Sequence, residues 1–292
     1  MRKSNCIFPI SNLTFIPYFN KIGKTIIPNS IILRKYIEFF YVLNTDNPFK
    51  FSYLAFPHYN TGLSFFKGAT VNRNGFQVDI ESAAASKIHI EILGKYKSPV
   101  LVHYNGPIQE VAIIFKPFGI NRFIRENYHS IAMNFSQAYQ KPEWEIWGKE
   151  SFNSENSMQE LETFLLSQLV ENEELSNIEK SLPYFHHRDL NYAVSEIADL
   201  TGYNLKSFQR HFTKHMGCSP VDYKRIVRFR NSIASKLKGN DFKSLTDITY
   251  ENNYSDQSYF IKEFKRLTSH NPKKFFKEAS LVDGDKIIWE IL

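Results

Sequence analysis

One pattern that occurs twice, about fifty residues apart between Ala193 and Phe276, restricts this chain more than any other feature. The first copy runs from Ile197 to Phe212, with Gly202-Tyr203-Asn204 in its middle and Phe208 and Phe212 at its end. The second runs from Ile248 to Phe264, with Asn253-Tyr254-Ser255-Asp256 in its middle and Phe260 and Phe264 at its end. In each copy an apolar piece of helical period leads to a turn residue, an aromatic and a small polar residue of the kind that caps helices. The next helix has aromatics four apart, hence on one face. Two helices joined by so short a turn make a helix-turn-helix, and the stretch predicts two of them.

The turn chemistry supports this. Gly202 stands where the chain leaves the first helix, a place that commonly needs a left-handed residue. Asn204 and Ser255 are predicted to accept hydrogen bonds from the free N–H groups that open the next helix, with Asp256 adding negative charge at its positive end. Past each unit the chain repeats again, as Gly217-Cys218-Ser219-Pro220 with Tyr223 and as Ser269-His270-Asn271-Pro272 with Phe275.

Residues 185–277 thereby resemble the DNA-binding domain of the AraC/XylS family of bacterial transcription activators. The residues that carry the resemblance are Ile197-Ala198, Gly202-Tyr203, Phe208-Gln209-Arg210 and Phe212. In the second unit they are Tyr254 through Phe260, then Phe264-Lys265-Arg266 and Pro272. The resemblance implies two helix-turn-helix units joined by a long helix, double-stranded DNA as partner, and an effector that alters how a sensor domain restrains the reader. It also implies activation through contact with RNA polymerase. Where the family usually has glycine, this chain has Asn253 and Ser269, and a non-glycine residue in the left-handed region costs roughly 1–2 kcal/mol. Lys262 stands where the family usually has arginine, a point charge in place of a two-pronged donor.

Charge is placed to match. Residues 181–280 hold 17 lysines and arginines against 10 acids, whereas residues 1–180 hold 18 against 17. A basic module on a near-neutral one suits a polyanion, since phosphate neutralisation dominates affinity. In a helix-turn-helix the second helix enters the major groove. With Phe208 and Phe212 inward, Lys206, Gln209 and Arg210 face out, and in the second unit Gln257, Ser258, Ile261 and Lys262 do. Of these, Lys206, Gln209, Arg210, Gln257, Ser258 and Lys262 are the expected base readers, arginine suiting guanine and glutamine adenine. Asn204, Ser255, Lys224, Arg225, Lys265, Arg266 and Lys273 are the expected phosphate contacts. The connecting helix, Val221 to about Leu237, sets the readers about one DNA turn apart, roughly 34 Å.

The rest of the chain reads as α+β. Alternating or β-branched runs at Tyr36–Leu43, Phe49–Phe56, Phe76–Ile80, Ile88–Ile92 and Val111–Phe115, separated by turn clusters, predict a sandwich or barrel. Gly106 through Ile120 resembles the end of the small, cupin-like β-barrel sensor found in one branch of the family. The expected domains are a barrel-like sensor over 1–150, a helical linker over 151–184, the reader over 185–280 and a tail over 281–292. Ser157-Met158-Gln159-Glu160 fits a capping box. Met158, Leu161, Leu165 and Leu169 then make an amphipathic stripe that needs a partner, either the barrel's flank or the same helix of a second subunit in a homodimer. Pro183–Leu190 reads as a polar hinge with His186 and His187 exposed.

Other classes are set aside on composition. With 42% hydrophobic residues the chain can bury two cores. The uncharged run from Ser4 is broken by Pro9, Asn12 and Pro17, and it suits neither a membrane span nor a signal peptide, so a cytoplasmic protein is expected. Cys6 and Cys218 form no disulfide or zinc spacing, and neither metal nor cofactor is expected. His58, His89, His103, Glu91 and Glu110 are what a metal-dependent barrel enzyme would use, but they make no compact motif, and the face of His89 and Glu91 reads as solvent. An apolar or aromatic pocket for a small effector fits the aromatic content better. The rivals are thus that barrel enzyme with a helical docking module, or a non-specific architectural DNA binder.

Overall fold

Residues 23–83, 88–152, 154–171, 173–187, 190–238, 243–278, 280–282 and 286–288 are described by the structure, a computed structural model. Cys6 and the uncharged run before Pro17 lie outside them. The strands are β1 (Gly23–Ile26), β2 (Ile37–Asn44), β3 (Lys50–Ala55), β4 (Thr61–Lys67) and β5 (Ala69–Asn74). After them come β6 (Gln77–Ser82), β7 (Ile88–Leu93), β8 (Val100–Asn105), β9 (Gln109–Phe115) and β10 (Ser136–Ala138). They form two sheets, one ordered β1-β2-β9-β4-β7-β10 and the other β3-β8-β6-β5, in which β6 and β8 run parallel.

Strand period decides what each sheet face meets. On the six-stranded sheet Phe39, Tyr41, Leu43, Phe66 and Ala112 point inward and share a core with Phe51, Val71, Val78, Ile80, Val102 and Tyr104 of the other sheet. The alternate residues Phe40, Phe65, Ile88, Ile90, Ile92, Val111, Ile113 and Phe115 point outward, where helices α2 (Pro142–Ser151) and α3 (Ser157–Gln168) cover them. Trp147 meets Phe65 edge to face at 4.7 Å. Burial on both faces explains why these strands read as near-continuous apolar runs. It also corrects the reading of Glu91, which lies opposite the isoleucines yet is buried, because that face looks into the barrel.

The apolar stripe of α3 is spent on its own barrel. Leu161 and Leu165 have no exposure, and uncovering such a pair for a second subunit would cost about 3–6 kcal/mol. The capping box is also not formed: the N-cap is Asn156, and Glu160 instead accepts from the Ser154 hydroxyl at 2.7 Å. Helices α4 (Glu173–Glu179) and α5 (Leu182–His186) follow, after a short α1 (Tyr128–Ile131) earlier in the chain. The predicted hinge is therefore helical at its start. His186 is partly buried, its Nε2 is 2.9 Å from the Tyr223 hydroxyl, and burial lowers its pKa to about 4.

The C-terminal helices are α6 (Val194–Leu200), α7 (Leu205–Met216), α8 (Pro220–Lys238), α9 (Leu245–Glu251), α10 (Gln257–Thr268) and α11 (Pro272–Glu278). A short antiparallel pair, Ser280–Val282 with Lys286–Ile288, lies in the stretch read as tail. The 19-residue α8 feeds two cores. Tyr223, Ile226 and Val227 join Phe208 and Phe212 in one, while Phe229 and Ile233 join Phe260, Phe264 and Phe275 in the other. At 1.5 Å per residue it is about 28 Å long, enough to hold the units apart as separate bodies on one rod.

The β-rich half packs on both units through one loop. Between β3 and β4, Phe56 enters the second unit's core and Tyr59 the first. Phe118 adds an edge contact with Phe212 at 5.3 Å, and Asn121 donates to the His215 carbonyl at 2.8 Å.

Candidate nucleic-acid interface and inter-sheet cavity

In the first unit Gly202 has φ +78° and lets the chain reverse between α6 and α7. Asn204 caps α7, its Oδ1 accepting from the Ser207 N–H at 2.9 Å. Phe208 and Phe212 then lie fully inside, while Lys206, Gln209 and Arg210 are exposed along the opposite side. Gly217 closes the helix at φ +77°, donating to the Thr213 carbonyl.

The second unit repeats this with one residue more. Six positions separate Gly202 from Phe208, but seven separate Asn253, at φ +58°, from Phe260. The extra residue moves the cap from Ser255 to Asp256, whose Oδ1 accepts from the Tyr259 N–H at 2.8 Å. That hydrogen bond holds the Asp256 carboxyl below its ordinary pKa, so α10 opens on a fixed negative charge. Lys206 corresponds in space to Ser258 and Arg210 to Lys262, both exposed. Gln257 is half-buried at the helix start, its Oε1 accepting from the Thr246 hydroxyl at 3.3 Å. Ser269 ends α10 at φ +61°, in the left-handed conformation that Gly217 takes in the first unit.

Among the expected phosphate contacts, Asn204, Ser255, Lys265, Arg266 and Lys273 are exposed. Three of the cations are already engaged, one of them Arg266, whose guanidinium bonds the Glu263 carboxylate at 3.4 Å. Lys224 donates to the Tyr192 carbonyl, and Arg225 bridges Asp222 at 3.3 Å and the buried Glu263 at 3.6 Å. Their sequence signal was charge on a helix; their partners come from other turns of the domain.

The recognition helix α7 is also held from its flank. Glu174 on α4 takes hydrogen bonds from His211 at 2.6 Å, Lys214 at 3.0 Å and His215 at 3.0 Å. Burial alone would raise its pKa, but those three bonds outweigh burial and bring it to about 2. The linker helix thus fixes α7 on a flank that adjoins Arg210, whose Nη2 lies 3.2 Å from His211 Nε2.

Between the two sheets lies a cavity of about 200 Å³. Tyr41, Tyr53, Tyr104, Phe66 and other mainly apolar groups line it, together with Glu110, Glu91, Asn60 and, from α8, Arg230. Glu91 accepts from Arg73, His89 and Ser136; burial would raise its pKa, and these bonds lower it instead. Arg230 is 9% exposed and donates to the Pro57 carbonyl at 2.8 Å and the Phe56 carbonyl at 2.7 Å. The β3–β4 loop is therefore cavity wall, contact with both units and acceptor for Arg230 at once. The spacing of Arg230, four from Ile226 and three from Ile233, sets it on the apolar stripe of α8.

The remaining residues singled out for metal chemistry do not assemble. His103 pairs with Ser52 at 2.5 Å, His89 with Glu91, and His58 accepts from the Asn60 N–H at 2.8 Å. Among the described residues no group of three His, Cys, Asp or Glu is placed to hold a metal ion. No described helix is long and apolar enough to cross a membrane.

Two recognition helices on one rod, each with aromatics inward and a polar, basic face outward, define a tandem helix-turn-helix DNA-binding protein. Residues 197–278 match the model of a helix-turn-helix domain family, and residues 25–135 match a domain of unknown function (DUF6597). No curated protein matches the chain in sequence. Among solved structures it is similar to ToxT from Vibrio cholerae O395, at 14% identity over 88% of this chain and 98% of that one, TM-score 0.39. It is also similar to the C-terminal domain of AraT, a response regulator from Geobacillus stearothermophilus, at 15% identity over 37% of this chain and 88% of that one, TM-score 0.34. The transcriptional regulator CdpR from Pseudomonas aeruginosa is similar at 10% identity over 73% and 72% of the two chains, TM-score 0.30. These likenesses are too weak to carry residues across. From the family match and its own geometry, the chain carries a DNA-binding helix-turn-helix domain at residues 197–278.

Proposed function

We propose that this protein binds one specific DNA site through two successive major grooves and that occupancy of the barrel cavity controls how it does so. Lys206, Gln209 and Arg210 read bases in one groove; Ser258 and Lys262, with Gln257 at the helix start, read in the other. Exposed Asn204, Ser255, Lys265, Arg266 and Lys273 hold the phosphates between. The observation that carries this is the shared burial pattern of the two units, aromatics inside and competent donors outside, at corresponding turns of α7 and α10. Because one chain supplies both readers, a single copy spans the site. The first unit is the stronger reader, since it offers Arg210 and Gln209 where the second offers Lys262 and Ile261.

Control runs through the β3–β4 loop. A ligand in the cavity touches the segment that also seats Phe56 in one unit, Tyr59 in the other, and the guanidinium of Arg230. A ligand that binds one arrangement of this loop better shifts the DNA-competent population by that difference in affinity. Transcription is activated, in this reading, in the cytoplasm and through contact with polymerase, as the resemblance implies.

Selection of bound fragments from a random DNA pool supplies the site, and Arg210→Ala tests the assignment. Cognate affinity should fall by roughly 1–3 kcal/mol and preference at one base should relax. An unchanged footprint and base preference would refute the role. Equal affinity for the selected site and random DNA at physiological salt would favour an architectural binder instead.

A further inference from the structure

One acid of the cavity wall, Glu110, has no salt-bridge partner among the described residues. Glu110 on β9 is 4% exposed and lies between the sheets, with the Tyr104 hydroxyl donating to it at 2.9 Å and the Ser64 hydroxyl also bonding it. Tyr41, Tyr53 and Tyr104 all lie within range of its charge. Burial pushes its carboxyl up to about 7, and the two hydroxyl bonds only partly oppose this. The second acid of the wall, Glu91, is matched by Arg73 and His89. The cation of the wall, Arg230, is turned onto the Phe56 and Pro57 carbonyls. Asn60 adds a further acceptor, for its buried Oδ1 finds no hydrogen-bond partner among the described residues.

An occupant of this space must suit acceptors and aromatic rings. An anion would meet Glu110 across a medium of low dielectric, where like charges repel strongly. A polyhydroxylated molecule would leave most of its hydroxyls against apolar wall. A cation is favoured by the carboxylate, and the rings of Tyr41, Tyr53 and Tyr104 line the same space. The volume of about 200 Å³ is below the ~300 Å³ at which pockets for drug-sized ligands begin, so the occupant is a single ring with a short arm.

We infer that the cavity binds a small aromatic amine as its ammonium ion, with Glu110 as counter-ion, the rings of Tyr41, Tyr53 and Tyr104 as its aromatic wall, and Asn60 Oδ1 as a further acceptor. This rests on the reading of the cavity as the effector site and names the chemistry of what enters it.

Calorimetric titration of the full chain with benzylamine, 2-phenylethylamine, 2-phenylethanol and 3-phenylpropanoate tests it. The amines should bind at least tenfold more tightly than the alcohol, and the carboxylate should not bind. Glu110→Gln, which keeps the shape and the acceptor, should weaken the amines at least tenfold and leave the alcohol unchanged; Asn60→Ala should weaken the amines by a smaller factor. Equal or tighter binding of the alcohol or carboxylate, amine affinity unchanged in Glu110→Gln, or no binding by either amine each overturns the inference. The effector reading is judged separately by Ala112→Phe, which fills the cavity: DNA affinity unaltered in that variant sinks the control role whatever the probes do.

Discussion

Glu110→Gln makes the energetics of the cavity measurable without any ligand. The Glu110 carboxyl is raised from its ordinary 4.5 to about 7 by burial. A carboxyl whose pKa is higher in the folded than in the unfolded state contributes stability that is fully present below about 4.5 and lost as pH rises through about 7. At ~1.36 kcal/mol for each pH unit of that interval, the wild-type protein should lose about 3 kcal/mol between pH 4.5 and 8 from this group alone. The amide of the variant can still accept from Tyr104 and Ser64 and has no proton to lose. The two proteins should therefore be close in stability near pH 5, with the variant ahead by roughly 2–3 kcal/mol at pH 8. Urea unfolding at several pH values, followed by the emission of Trp144 and Trp147 in the outer core of the barrel, reads this difference. Taking the difference cancels other titrations, including that of His186, whose lowered pKa acts in the opposite sense. Parallel stability profiles for the two proteins would refute the assignment of a buried carboxyl with a raised pKa.

The other expectations concern the reader. Ser269→Gly relieves a left-handed serine at about 1–2 kcal/mol and gives back part of that to the unfolded chain, so a net gain of about 0.5–1 kcal/mol is expected by denaturation. Gly217→Ala at the matching position should lose at least ~1 kcal/mol, because its Cβ would also lie 2.9 Å from the Tyr128 ring; stabilisation there would contradict the geometry. Asp256→Asn keeps the cap of α10 but removes the charge that faces phosphate, and should tighten DNA binding about two- to fivefold at low salt, with weaker binding counting against a docked α10. Lys265→Ala should weaken all DNA sequences alike and lower the slope of log affinity against log salt by about 1, whereas an unchanged slope would remove it from the phosphate set.

The repeat and its turn signals were legible because they are local. Helical period, a left-handed turn residue and a cap lie within about sixteen neighbouring residues, and Gly202, Asn204, Phe208 and Phe212 needed no distant partner to announce their roles. Asn253 and Ser269, noticed as departures from glycine, do take positive φ. One register detail escaped: the second turn is a residue longer, and cap duty passed from Ser255 to Asp256, two residues equally able to cap by type. In the barrel, β2, β7 and β9 showed as apolar runs, whereas β4 did not. Its Gly62, Ser64 and adjacent Phe65-Phe66 break alternation, because both of its faces are covered.

What the chain's order of residues determined by itself was thus the two helix pairs and the side of each that faces out, since both follow from periodicity. Tertiary structure alone decided which charges are free. Lys224, Arg225 and Arg230 look alike on one helix, yet their environments are set by Tyr192, by Glu263 and by the carbonyls of a loop more than 170 residues away. It also turned Glu91 and Glu110 from an apparent solvent face and a stray acid into the polar lining of a cavity between the sheets. Whether a strand's second face meets water or another sheet depends on where the chain returns, and that is not written within the strand.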